Sequence, residues 1–212
     1  MPVRIQGGPP RWFLLDTGSN LSIVTPGLAA ELGLARVNSH GLFAGGKPIE
    51  QATVLPRLQL GEMVVEDLFA VVAELPGLSS GTGVEVSGLL GAPVFKDQTL
   101  TLDYPDRQVT VSATPFELQQ GDITLPLALE SLRPAVEVLL GGKPVRALVD
   151  TGFSGAVQVP EEAGIAFRVA PVVTGRRYGL AGLTEDRTGS PLCQGSCRLE
   201  LRRISRGAMS RR

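Results

Sequence analysis

The chain of 212 residues is 43% hydrophobic and 19% charged, a balance that excludes wholesale disorder and leaves apolar side chains enough for one large core or two small ones. A net charge of −1 excludes a surface built throughout for nucleic acid, so no nucleic-acid partner is expected. No run approaches the ~20 apolar residues of a membrane-spanning helix, and Met1-Pro2-Val3-Arg4-Ile5 lacks the charged-then-apolar profile of a secretory signal, which makes the cytoplasm the default expectation.

The 26 glycines and 16 prolines fall between short apolar runs, the texture of many short strands joined by turns. Residues 2–6 and 11–15 read as a hairpin through Gly7-Gly8-Pro9-Pro10, followed by a strand at 21–25 and a short helix at 27–34. Gly45-Gly46-Lys47 marks a further hairpin turn. Apolar runs at 53–60, 63–73 and 99–103 read as strands, with a last one near 107–111. Ser79-Ser80-Gly81-Thr82-Gly83 reads as a loop, since no Lys-Ser/Thr follows it to make a phosphate cradle. Leu89-Leu90-Gly91 leads into a helical turn at 92–97, and Asp103 and Asp106 flank Tyr104-Pro105 as turn-shaping residues. Trp12 and Phe13 alternate across a strand, so one of them faces the core. The expectation is mainly β with minor helix.

The chain then repeats itself. Asp16-Thr17-Gly18 recurs as Asp150-Thr151-Gly152 at an offset of 134 residues. At the same offset Gly7-Gly8 matches Gly141-Gly142, Pro10 matches Pro144 and Pro26 matches Pro160. Farther on, Glu31-Leu32-Gly33-Leu34 resembles Glu162-Ala163-Gly164-Ile165, and Gly41-Leu42-Phe43-Ala44-Gly45 resembles Gly179-Leu180-Ala181-Gly182-Leu183. Order is preserved, so two duplicated lobes are expected, 1–112 and 113–212, with breaks at Ser112-Ala113-Thr114-Pro115 and Gly121-Asp122.

Each copy of the motif places an acid at the end of an apolar strand, after Phe13-Leu14-Leu15 and after Ala147-Leu148-Val149. A carboxylate leaving a buried strand is costly unless it has a partner or a task. The following glycine lets the chain turn sharply and another segment come close, while the threonine hydroxyl can bond the opposite loop. Two carboxylates held about 3 Å apart cannot both ionise easily, so they share a proton. One then acts as base on water and the other as acid on a carbonyl oxygen, with the roles belonging jointly to Asp16 and Asp150. Such chemistry needs neither metal nor cofactor.

On these residues the chain resembles the retropepsin-like and pepsin-like aspartic proteases, specifically a bacterial type with tandem lobes in one polypeptide. Asp16-Thr17-Gly18-Ser19 resembles the family's catalytic loop, and Gly88-Leu89-Leu90-Gly91 its apolar-apolar-glycine element beside that loop. Residues 38–52 resemble its flap, with Gly41-Leu42-Phe43 near the tip, and Leu102-Asp103-Tyr104-Pro105 and Val109-Thr110-Val111 resemble its closing strands. The resemblance implies an all-β fold of two homologous acid-protease β-barrel lobes with minor helix. It implies an aspartic-type endopeptidase taking a peptide or protein substrate, with Asp16 and Asp150 catalytic. Thr17, Gly18, Ser19, Thr151 and Gly152 would support them, and Gly41, Leu42 and Phe43 would cover the substrate.

The second lobe departs from the first. Phe153 stands where the first motif has Ser19, with Ser154 next to it as a substitute. At the repeat offset the counterpart of Gly91 falls beyond Arg212, so the second lobe reads as truncated. Residues 202–212 hold five arginines and no strand pattern, and are expected to pack poorly. The alternatives are a catalytically inactive peptide-binding module, or a homodimeric protease using Asp16 from two chains rather than a two-lobed monomer. His40 has no nucleophile near it in a convincing triad and reads as a loop residue. Cys193 and Cys197 read as incidental thiols, since no second cysteine pair accompanies them to make a zinc site.

Overall fold

The computed structural model describes residues 1–39, 43–44, 47–140, 143–153, 172–179 and 182–188. In chain order the first half runs β1 (Pro2–Ile5), β2 (Arg11–Asp16), β3 (Ser22–Val24), α1 (Pro26–Glu31), β4 (Val37–Asn38), β5 (Phe43–Ala44) and β6 (Lys47–Pro48). It continues through β7 (Gln51–Leu60), β8 (Met63–Val72), α2 (Leu78–Thr82), β9 (Val86–Gly91), a 3-10 turn (Ala92–Phe95), β10 (Thr99–Asp103) and β11 (Gln108–Ser112). The second half supplies β12 (Leu127–Glu130), β13 (Arg133–Leu140), β14 (Lys143–Leu148), β15 (Val172–Gly179) and β16 (Gly182–Thr188). The all-β expectation holds. No helix among the described residues is long and apolar enough to cross a membrane.

Alternation of side chains builds a closed barrel. In β1, Val3 and Ile5 point inward, and in β2 so do Phe13 and Leu15, while Trp12 just before them is 46% exposed. Six strands close on themselves in the order β1-β2-β9-β3-β8-β7, because β7 returns to pair with β1 through Arg4↔Gln59 and Ile5↔Leu58. Closure removes the open strand edges that would otherwise template association. Val3, Ile5, Phe13, Val24, Leu55, Leu58 and Leu90 fill the interior. Ile23, Ile49, Val71 and Leu89 form a second, smaller cluster.

Strand β9 is the central piece. It pairs in parallel with β2, Asp16 opposite Gly91, and antiparallel with β3, and all six of its residues are buried. Its glycines make this possible. A Cβ at Gly88 would stand 2.1 Å from a Phe13 ring carbon and 2.5 Å from the Ile23 carbonyl oxygen, and one at Gly91 would stand 2.6 Å from the Leu21 carbonyl oxygen. Gly88→Ala therefore forces backbone apart as well as a ring. We expect it to lower unfolding stability by about 3 kcal/mol, measured by urea denaturation; a loss under about 0.5 kcal/mol would refute the packing described for β9.

Two short features modify the sequence reading. Residues 79–83, expected as a loop, lie largely in helix α2, which is poor in helix formers but held between two left-handed glycines, Gly77 and Gly83. The Gly81 and Gly83 N–H groups donate to Gly77 and Ser79 carbonyls at 3.0 Å, and Ser79 Oγ accepts from the Val86 N–H, which ties the helix to β9. Helix α1, expected at 27–34, runs over Pro26–Glu31: Thr25 caps it, Pro26 opens it, and left-handed Gly33 follows its end. The β10–β11 hairpin turns on an Asp106 N–H donated to Asp103 Oδ1 at 3.0 Å, as those two acids suggested.

In the second half β12, β13 and β14 form one antiparallel sheet and β15–β16 a hairpin. Strands β13 and β14 lead into Asp150 as β1 and β2 lead into Asp16. Strand β12, which the sequence reading did not anticipate, pairs with β13 through Leu127↔Val136 to Glu130↔Arg133. His40, Cys193, Cys197, Ser154 and the basic stretch 202–212 lie outside the described residues.

Candidate active site

Strand β2 delivers Asp16 at its last position, and Asp150 follows β14 by two residues. Both strands are apolar toward their ends, so each acid emerges from packed structure at a turn. The first turn closes with the Ser19 N–H donating to the Asp16 carbonyl at 3.2 Å. It is fastened to the 3-10 turn after β9 by the Ala92 N–H donating to the Ser19 carbonyl at 2.9 Å.

The two turns then lock together through their threonines. The Thr17 N–H donates to Thr151 Oγ1 at 3.0 Å, and the Thr151 N–H donates to Thr17 Oγ1 at 3.1 Å. Each hydroxyl also donates across the junction: Thr151 to the Leu15 carbonyl at 2.8 Å, and Thr17 to the Val149 carbonyl. The pattern is reciprocal. Each hydroxyl accepts one bond and donates one, so both turns have their polar groups paired at a site where Thr17 is buried. Each bond contributes about 1 kcal/mol net, but breaking one partner would strand the other.

The crossing places the carboxylates against each other's glycines. A Cβ on Gly18 would stand 2.3 Å from Asp150 Cγ, and one on Gly152 would stand 2.7 Å from Asp16 Cγ. Only glycine leaves room for the opposite acid. The Asp16 and Asp150 side chains share a hydrogen bond. The Gly152 N–H donates to Asp150 Oδ1 at 2.8 Å.

Asp16 is held as a weaker acid than usual, its pKa pushed up to about 6. Burial is the first cause, because it disfavours the charged form; the Asp150 charge and the hydrogen bond between the two side chains follow. Backbone N–H groups of Gly18 and Ser19 pull the other way by bonding the carboxylate. A pair so arranged can hold one proton between two carboxyl groups, the condition for acid and base to work side by side.

Of the residues expected at the site, Asp16, Thr17, Gly18, Asp150, Thr151 and Gly152 come together. Ser19 acts within its own turn, donating to the Leu21 carbonyl at 2.7 Å and accepting from the Leu21 N–H at 3.2 Å. Phe43 lies on β5, opposite Pro48 of β6, while Gly41 and Leu42 lie outside the described residues. Sequence reasoning missed Arg133, whose Nη1 reaches the Gly18 carbonyl at 3.5 Å. A single arginine opening a strand carries no motif that would have pointed to it. No three His, Cys, Asp or Glu side chains come together as a metal set among the described residues.

A family model described as aspartyl protease matches residues 1–94. Among solved structures, a retropepsin-like aspartic protease from Rickettsia conorii is 19% identical, with a TM-score of 0.35, over 49% of this chain and 74% of its own. No curated protein matches.

Proposed function

We propose, from the aspartyl protease model that matches residues 1–94 and the geometry of the two motifs, that the chain is an endopeptidase of the retropepsin-like aspartic protease type whose two motifs supply one catalytic dyad. Lobes 1–112 and 113–212 are read as copies of one unit, each giving one aspartate, with the substrate cleft between them. The observation that carries the reading is the reciprocal threonine crossing, which sets the Asp16 and Asp150 carboxyls in hydrogen-bonding contact.

In this mechanism the ionised carboxylate of the pair takes a proton from a water molecule as its oxygen attacks the scissile carbonyl carbon. The protonated carboxyl gives its proton to the carbonyl oxygen, and a neutral tetrahedral diol results. As the diol collapses and its C–N bond breaks, one diol hydroxyl returns its proton to the carboxylate while the carboxyl gives its proton to the leaving nitrogen, so the dyad ends singly protonated. Thr17, Gly18, Thr151 and Gly152 hold the two acids, and Ser19 shapes the first turn. An extended peptide lies in the cleft as a strand under the 38–52 hairpin, with Gly41, Leu42 and Phe43 on the covering side.

The raised acid of Asp16 fixes the alkaline side of the pH profile. A carboxyl whose folded-state pKa is raised favours its neutral form, so that contribution is complete below the ordinary value of 3.8 and disappears as pH rises through about 6. Cleavage is expected to fall over the same range as the shared proton is lost, and the thermal unfolding midpoint to fall with it. Initial rates on a peptide library from pH 4 to 8, beside thermal unfolding in the same buffers, test this. A rate that rises steadily to pH 8 would contradict the proton-sharing role of Asp16.

A further inference from the structure

We infer that Arg133 is a positioning residue of this site: its guanidinium, delivered from the second sheet, fixes the Gly18–Ser19 peptide and through it the seats of both carboxyl groups. The inference rests on the reading of Asp16 and Asp150 as a working dyad.

Arg133 opens β13 immediately after a two-residue hairpin loop closed by the Glu130↔Arg133 pair. The loop residues Ser131 and Leu132 have φ of 49° and 67°, both in the left-handed region that non-glycine residues seldom occupy. That turn directs the Arg133 side chain across to the first lobe. Its Nη1 lies 3.5 Å from the Gly18 carbonyl oxygen and its Nε 3.5 Å from the Glu130 carbonyl oxygen. Glu130 is held in turn by Arg146, whose Nη1 lies 2.7 Å from Glu130 Oε1. The next residue touches the other turn: the Pro134 carbonyl accepts the Val149 N–H at 2.9 Å. The dipeptide Arg133-Pro134 thus grips both turns, one through a side chain and one through the backbone.

The peptide that Arg133 holds is central to the site. Its carbonyl is that of Gly18, the residue against which the Asp150 carboxyl rests. Its N–H is that of Ser19, which donates to the Asp16 main-chain carbonyl at 3.2 Å and also lowers the Asp16 pKa as a donor toward its carboxylate. A cation on the carbonyl polarises the peptide and strengthens the donor at its other end. At 3.5 Å the contact is long for a hydrogen bond, so it works chiefly as charge against dipole. A fork-shaped guanidinium can span Gly18 and Glu130 together, whereas a lysine ammonium offers a single point of charge.

The test uses the full chain with Arg133→Ala and Arg133→Lys, read by amide hydrogen exchange and by steady-state cleavage of a peptide. In Arg133→Ala the Ser19 amide is expected to exchange about tenfold faster, while the Leu90 amide in the barrel stays unchanged. Turnover is expected to drop about tenfold with KM within about threefold, the signature of a group that acts on the transition state rather than on uniform substrate binding. Arg133→Lys should fall between the two, and its exchange data remain informative should the alanine variant lose the second sheet. Unchanged Ser19 exchange together with unchanged turnover, in a wild-type background that cleaves, would overturn the inference and leave the dyad standing. A wild-type chain that cleaves nothing, yet shows the faster Ser19 exchange on substitution, would overturn the catalytic reading and uphold the positioning role.

Discussion

Asp16→Asn and Asp150→Asn are each expected to lower peptide cleavage by about a thousandfold or more while leaving the chain folded. Asparagine has nearly the shape of aspartate and keeps an acceptor for the Gly152 N–H at position 150, so packing survives the change. What is lost is a proton site. With one carboxyl left the pair can no longer offer a base and an acid together. A second consequence follows at Asp16. Burial raises its pKa first, but the Asp150 charge and hydrogen bond add to that, so Asp150→Asn should move the Asp16 titration downward, toward the ordinary carboxylate range. Carbon-detected NMR of the aspartate carboxyls would show the direction. Cleavage that survives in Asp150→Asn would rule out a dyad made from these two residues.

Gly18→Ala is expected to be as damaging to cleavage as removing an acid, at least about a hundredfold, although it touches no catalytic atom chemically. The added methyl would sit 2.3 Å from Asp150 Cγ and within 2.6 Å of both carboxyl oxygens, so it is the end of the Asp150 side chain that has to give way. The Asp150 carboxyl must move away from Asp16, and the threonine crossing beside it must loosen. Gly152→Ala repeats the experiment from the other side, with its methyl 2.7 Å from Asp16 Cγ. The two variants should also lower the unfolding midpoint together. Near-normal activity in both would mean that the two motifs do not face each other.

Much of this was legible in the sequence, and for identifiable reasons. The barrel strands alternate buried and exposed residues, so the runs at 53–60 and 63–73 translate into β7 and β8 almost unchanged. The two Asp-Thr-Gly motifs were visible because a rare tripeptide recurs after an apolar strand, and the threonine hydroxyl was already a candidate to bond the opposite loop. Other features leave no local signal. Helix α2 (Leu-Ser-Ser-Gly-Thr) is poor in helix formers and exists through contacts of Gly77, Ser79 and Gly83, which propensity scores against. Ser19 was expected to support the acid, but its hydroxyl finds Leu21 two residues along, a bond that competes locally and needs no partner loop. Arg133 reaches Gly18 across 115 residues of sequence, a distance over which no periodicity or motif carries information. Strand β12 went unread because it is only four residues long and its Leu127 and Leu129 stay exposed rather than facing a core.

The most direct test of a dyad contained in one chain is cleavage rate per chain as a function of chain concentration, from nanomolar to tens of micromolar. If Asp16 and Asp150 act within one polypeptide, the rate per chain stays constant over the whole range. A rate per chain that climbs with concentration and vanishes on dilution would mean that two chains must meet to build the site, and would contradict the single-chain dyad.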